Sequence, residues 1–197
     1  MITGSVKKLY SVRESYRIYY DGLRTARYMS RARRNRDLEP GFMERIMIAV
    51  TGVNDCSICS YAHTKMALEI GMENEEILKL LSGIIEDVPP EEAPGIIFAQ
   101  HYADSRAHPS GEAWERLVDI YGLPKAMGIL GAVRMIMIGN AYGIPWSSFF
   151  NRFLGKPDKR SSLPYEAGMI ITCILFTPVA IIHAMVSNLF RKPFISI

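Results

Sequence analysis

Cysteine is scarce in this chain, with three in 197 residues. So few thiols exclude the disulfide framework that holds small secreted domains together. An apolar run near the start is also missing. The opening "MITGSVKKLYSVRESY" contains none, so no signal peptide is expected, and the compartment reads as reducing and intracellular. A large excess of one charge is missing too. The 23 Lys and Arg against 20 Asp and Glu leave a formal charge of +3, too little to argue for a nucleic-acid partner. No segment alternates apolar and polar residues at period two, so no strand is expected. There is no repeat of fixed period and no low-complexity tract.

What is present is a chain with 49% hydrophobic and 22% charged residues. That balance suits one good-sized core, or one domain with appendages. The pattern is helical throughout, and the predicted fold class is all-α. Residues 5–20 show a loose helical pattern with Val6, Leu9, Tyr10 and Val12 as inward candidates. "RTARYMSRARRNR" (24–36) carries six arginines and no acid. It reads either as the solvated face of a helix or as a surface for an acidic partner such as anionic lipid. Pro40 and Gly41 break the chain, and residues 42–52 form a short helix. Gly52 is expected to end it, with Asn54 or Asp55 capping the next helix, about 55–70, which stops at Gly71. Further helices are expected from about 73, with Asn74 as cap, over 88–105, over 111–121 and over 124–143. Gly122 and Pro124 separate the last two.

Two of the three cysteines fall in "NDCSICSYAH" (54–63). On a helix, Cys56, Cys59 and His63 stand at i, i+3 and i+7 and share one face. Thiols in a first helical turn are close enough for a disulfide. The helix N-terminus favours the thiolate, which is the reactive form. His63, one turn from Cys59, can relay a proton. Two other readings use the same residues. The cysteines can be small buried hydrophobes. Alternatively, the two thiols and the imidazole can be zinc ligands with Glu44 as a fourth, although no second Cys/His knuckle exists to complete a structural site.

The pattern Glu44–x11–Cys56–x2–Cys59–x3–His63 resembles the signature of the alkylhydroperoxidase AhpD-like branch of the carboxymuconolactone decarboxylase family. The following "TKMALEIGMENEEI" (64–77) is similar as well. The resemblance is strongest over 40–85 and is absent from 1–20 and 160–197. It implies an all-helical fold and a homo-oligomer, a trimer or a multiple of one. It also implies a thiol peroxidase or disulfide reductase with no metal or organic cofactor. The implied substrate is a hydroperoxide, and the implied electron donor is a thiol or dithiol. In the implied scheme Cys59 attacks the peroxide and Cys56 resolves the sulfenic acid, while Glu44 and His63 form a proton relay. Ile58 departs from the family pattern, which often has a histidine there, and this points to a drier site. The decarboxylase branch matches less well, because its chemistry does not need the thiol pair. The alternatives are a non-enzymatic zinc-binding or redox-sensing module, and a membrane-associated oligomeric scaffold.

The remaining signals are weaker. His101, His108 and His183 lack a second ligand at i+4 and read as structural or solvated. Trp114, Trp146, Phe149 and Phe150 read as core or interface. Arg134, inside an apolar helix, needs a carboxylate partner or a route to water. The expected organisation is an N-terminal helical extension (1–20), an AhpD-like domain (21–150), a linker (151–167) and an apolar C-terminal segment (168–197). Residues 168–190 contain no Asp, Glu, Lys or Arg. They suit either a membrane anchor or a helix between subunits. The protein is accordingly expected in the cytoplasm or on the cytoplasmic side of a membrane.

Overall fold

A computed structural model describes residues 9–195. Seven helices and no strand occur among the described residues. The first, α1 (Val12–Asn35), opens on a reciprocal cap. Ser11 Oγ accepts from the Glu14 backbone N–H at 3.3 Å, and Glu14 Oε2 accepts from the Ser11 N–H at 2.8 Å. It closes at Arg36 in the left-handed region, with Arg33 and Arg34 beside the negative end of the helix dipole. The helix runs unbroken through residues 20 and 21. Val6, read above as an inward position, lies outside the described residues.

The middle of the chain supplies α2 (Pro40–Asn54), α3 (Ser57–Glu69), α4 (Asn74–Leu81) and α5 (Ala93–Asp104). Two expectations about the α2–α3 corner fail. Gly52 does not end α2, which continues to Asn54 and closes on Asp55 in the left-handed region. The glycine is instead a close-approach residue, because a Cβ there would collide with the Leu81 carbonyl of α4. Neither Asp55 nor Asn54 caps α3, which follows Cys56, and Asn54 is turned to the core instead. Its Oδ1 accepts from the Tyr10 hydroxyl at 2.6 Å and its Nδ2 donates to Asn140 Oδ1 at 2.9 Å, while Asn140 in turn donates to Thr51 Oγ1 at 3.2 Å. This is a satisfied buried polar network that fixes α2 against the central helix. Asn74 likewise is the first helical residue of α4, with Glu73 as the flanking residue.

The central element is α6 (Gly111–Arg152), broken at Gly122, where φ is 72° and ψ is 155°. The two expected helices therefore exist, but the second continues to Arg152 instead of stopping near 143. Around α6 pack α1, α2, α3, α5 and α7 (Leu163–Leu189). The core between them is made by Ile18, Leu38, Ile46, Ile48, Ile77, Leu80, Ile96, Ile129, Leu130 and Met137, all fully buried.

The connection between α6 and α7 is tied down by charge. Glu166 is completely buried in the first turn of α7. It accepts from Arg152 Nη2 at 2.6 Å, from Ser148 Oγ at 2.7 Å and from Ser161. These donors hold its carboxyl well down, at about 2, with Arg152 the largest cause.

Both α6 and α7 are long and apolar enough to cross a membrane by length and composition, but their surroundings differ. The apolar stretch of α6 is mostly inside the protein, whereas Ile174, Leu175, Ile182, Met185 and Leu189 of α7 face outward. On its inner side α7 lies along α1. Tyr19 Oη meets Thr177 Oγ1 at 3.0 Å, Tyr16 Oη meets His183 Nδ1 at 3.0 Å, and Tyr20 stacks on His183 at 4.2 Å. Arg24, first of the six arginines, is buried rather than solvated. It donates to the Asn188 side chain at 3.1 Å and to the carbonyls of Lys192 and Pro193 at 2.5 and 2.8 Å, closing the C-terminal end of α7.

Candidate functional site

The site is built at the α2–α3 corner. Asp55 in the left-handed region turns the chain, leaving Cys56 as the extended residue that precedes α3. The Cys56 carbonyl accepts from the Ser60 N–H at 2.8 Å and starts the helix. Cys59 follows in the first turn. The pair is joined as a disulfide with Cα atoms 5.3 Å apart. Cys56 is fully buried, and Cys59 retains 8% exposure. Both lie at the positive end of the α3 dipole, where a thiolate released by reduction is favoured.

His63 lies one turn further along α3. Its Nδ1 is 2.8 Å from Glu44 Oε2, which reaches across from the middle of α2. Both side chains are largely buried. A carboxylate can only accept, so Nδ1 carries the proton that bonds Glu44 and Nε2 is the nitrogen left to exchange one. The structure therefore brings all four expected residues to one corner: Cys56 and Cys59 as a disulfide, His63 beside them and Glu44 against His63.

The motif alone did not point to two other features of the corner. The first is Gly143 of α6. A Cβ at this position would lie 3.0 Å from Cys59 Sγ and 3.2 Å from Cys56 Sγ and from Ile58 Cγ2. The backbone of α6 thus forms the floor under both sulfurs, which only a residue without a side chain allows at this distance. A glycine inside an apolar helix is a readable sign of such an approach, though not of what approaches. The second is Arg160, from the connection between α6 and α7. Its Nη1 lies 3.3 Å from Asp55 Oδ2, and its Nη2 donates to the Asp55 carbonyl at 3.1 Å and to Asp158 Oδ2 at 2.6 Å. The Arg160 guanidinium holds the Asp158 carboxyl below the usual range. Together they clamp the turn that precedes Cys56 beside a cavity of about 170 Å³, whose lining includes Ser57, Ile144 and Ser148. Nothing in the local sequence connects residue 160 to residue 55.

Ile58 and Tyr61 project outward from α3 and are exposed. The third cysteine, Cys173, sits half-buried on α7, where burial pushes its thiol pKa up. Among the described residues, no three His, Cys, Asp or Glu side chains converge as a metal ion requires. The other histidines have structural partners. His101 Nε2 accepts from the Ser110 N–H at 3.2 Å, and His108 contacts Arg17.

Residues 22–88 match the model of the carboxymuconolactone decarboxylase family, a span that holds Glu44, Cys56, Cys59 and His63 and amounts to less than half of the chain. No curated protein and no solved structure matches the chain.

Proposed function

From the premise that residues 22–88 are of carboxymuconolactone decarboxylase type, we propose that this protein is a thiol-dependent oxidoreductase of the AhpD-like kind. It reduces a hydroperoxide, or a partner's disulfide, through Cys56 and Cys59. The observation that carries this reading is the Cys56–Cys59 disulfide at the head of α3, beside an imidazole hydrogen-bonded to a buried carboxylate.

The cycle begins with two thiols. His63 Nε2 takes the Cys59 proton, and Glu44 stabilises the imidazolium through Nδ1–H. The Cys59 thiolate attacks the distal peroxide oxygen. The O–O bond breaks, an S–O bond forms, and the leaving alkoxide takes the proton from His63 to depart as an alcohol. Cys59 is then a sulfenic acid. The Cys56 sulfur displaces its oxygen as water, which gives the disulfide. An external thiol or dithiol returns two electrons and two protons by exchange. Residual exposure favours Cys59 over the fully buried Cys56 as the first nucleophile. The outward Ile58 and Tyr61 give any substrate an apolar approach, in keeping with a bulky organic hydroperoxide.

The test is mass spectrometry of the reduced protein before and after an organic hydroperoxide, on wild type, Cys59→Ser and Cys56→Ser. Wild type should lose two titratable thiols. Cys56→Ser should stall at a sulfenic acid or mixed disulfide, and Cys59→Ser should consume no peroxide. Turnover by Cys59→Ser at the wild-type rate overturns the assignment.

A further inference from the structure

A second cavity, of about 480 Å³, lies away from the dithiol, between α1, α6 and the segment that follows α7. Arg134, which lines it, is nine residues before Gly143. At ~1.5 Å per residue this places it about 13 Å along α6 from the sulfurs. Arg17, Arg24, Arg134 and Lys192 line the cavity, and Asp21 is the carboxylate among them.

Positive charge is in excess there, and two of its buried guanidinium nitrogens have no acceptor. Arg134 is 3% exposed. Its Nε donates to the Tyr102 hydroxyl at 2.9 Å and its Nη2 to the Phe194 carbonyl at 2.6 Å, but its buried Nη1 has no partner. Arg17 donates through Nη2 to the Arg106 carbonyl at 2.9 Å and contacts His108 through Nη1, but its buried Nε has no partner either. Burial and the neighbouring Arg17 push the pKa of His108 down, so it meets Arg17 as a neutral acceptor. Arg24 directs its Nε, Nη1 and Nη2 to Asn188, Pro193 and Lys192 and adds its charge to the cavity. Asp21 is the single carboxylate in this lining, and burial pushes its pKa up against the pull of Arg134, Arg17 and Arg24. A buried cationic N–H without an acceptor is costly, so its place in a fold calls for an explanation.

We propose that this cavity binds an organic anion, whose carboxylate or phosphate oxygens accept from Arg134 and Arg17. The volume is of the size that holds a small organic molecule and is far larger than a bare inorganic ion needs. Tyr20, Pro109, Phe194 and Ile195 supply the apolar part of the lining. Tyr20 and Phe194 flank the Arg24 guanidinium, which lies 5.6 and 4.7 Å from their ring centroids. An anionic head with a short hydrocarbon body fits this mixed cationic and apolar lining. Arginine suits such a head because its planar N–H groups match paired oxygens. This site is independent of the dithiol chemistry.

The experiment is calorimetric titration of the oxidised full-length protein with hexanoate, hexyl phosphate and hexanol. Hexanoate, hexyl phosphate or both should bind saturably, and the stronger of the two identifies the head group. Hexanol should not bind. Arg17→Gln and Arg134→Lys should each weaken the anion about tenfold or more, the loss expected for one charge-assisted hydrogen bond. Asp21→Asn should tighten it, because a competing negative charge is removed. Thermal melting checks that each variant is folded, and if Arg134→Lys is not, the other two substitutions decide. No saturable binding of either anion overturns the proposal. So does hexanol binding as well as the anions, or affinity unmoved by both Arg17→Gln and Asp21→Asn.

Discussion

Two glycines of α6, one turn apart, should respond to alanine with opposite signs. At Gly139 the nearest atom to an added Cβ is Ile136 Cδ1 at 3.6 Å, an ordinary contact. The substitution fills no forbidden space and removes the entropy cost of glycine in a helix, so it should stabilise by about 0.5–1 kcal/mol. At Gly143 the same methyl would meet Cys59 Sγ at 3.0 Å, Cys56 Sγ at 3.2 Å and Ile58 Cγ2 at 3.2 Å. Three such contacts are overpacking, typically about 1–3 kcal/mol. Set against the same propensity gain, Gly143→Ala should destabilise by roughly 0–2 kcal/mol. The informative quantity is the gap between the two variants, about 2 kcal/mol, since helix propensity cancels from it. The assay is urea unfolding of the oxidised proteins, read as midpoints at constant slope. A Gly143→Ala protein as stable as Gly139→Ala would mean that α6 does not floor the sulfurs, and the site geometry would fall with it. Crowding at Cys59 should also slow its reaction with peroxide in Gly143→Ala and leave Gly139→Ala unaffected.

Other consequences follow from the same geometry. His63→Ala and Glu44→Gln should slow thiol oxidation by about 10²–10⁴-fold near neutral pH, as expected for loss of a general base. Stopped-flow measurement should show the defect shrinking above the free thiol value of about 8.5, and a loss independent of pH would point to packing instead. Glu166 has its folded pKa lowered from 4.5 to about 2. Its contribution is therefore complete above pH 4.5 and fades as the pH falls towards 2. With allowance for the partly solvated Arg152, this amounts to about 1–2 kcal/mol. Glu166→Gln should flatten the acid limb of stability measured by urea titration, and an unchanged limb counts against the buried pair. Gly52→Ala should cost more than Gly143→Ala, because its methyl meets the rigid Leu81 backbone rather than movable side chains. Thermal unfolding gives the order, and a neutral Gly52→Ala would refute the close approach of Leu81 to α2.

The dithiol corner was legible because most of it is local. Cys56, Cys59 and His63 fall within a stretch of eight residues, where helical periodicity alone decides which side chains meet. Glu44 lies on another helix, and only its spacing to the motif pointed to His63. Gly52 and Asn54 were misread for one reason: both look like punctuation, yet both serve contacts between helices. The Leu81 carbonyl excludes a side chain at residue 52, and Tyr10 and Asn140 occupy the amide of residue 54. The arginine-rich face was divided by the fold in a way that charge patterning cannot foresee. Arg24 is buried because residues 188–193 come back to it, whereas Arg31 and Arg34 remain outside. Arg134 donates to the Tyr102 hydroxyl and the Phe194 carbonyl rather than to a carboxylate, and its Nη1 is left without an acceptor.

The Arg24 contacts also bear on the order in which the molecule can form. The partners lie 164 to 169 residues further along the chain. While residues 12–152 emerge during synthesis, the helix pairs of the thiol corner can assemble from nearby segments. The guanidinium of Arg24 meanwhile has no carbonyls to enter and must stay hydrated, which holds that flank of α1 open. Closure waits until residue 193 is available. Contacts of such long sequence separation form late and slow the final step. The dithiol corner should therefore acquire protection from hydrogen exchange before the α1–α7 flank does, and the two ends of one helix, α1, should become ordered at different times.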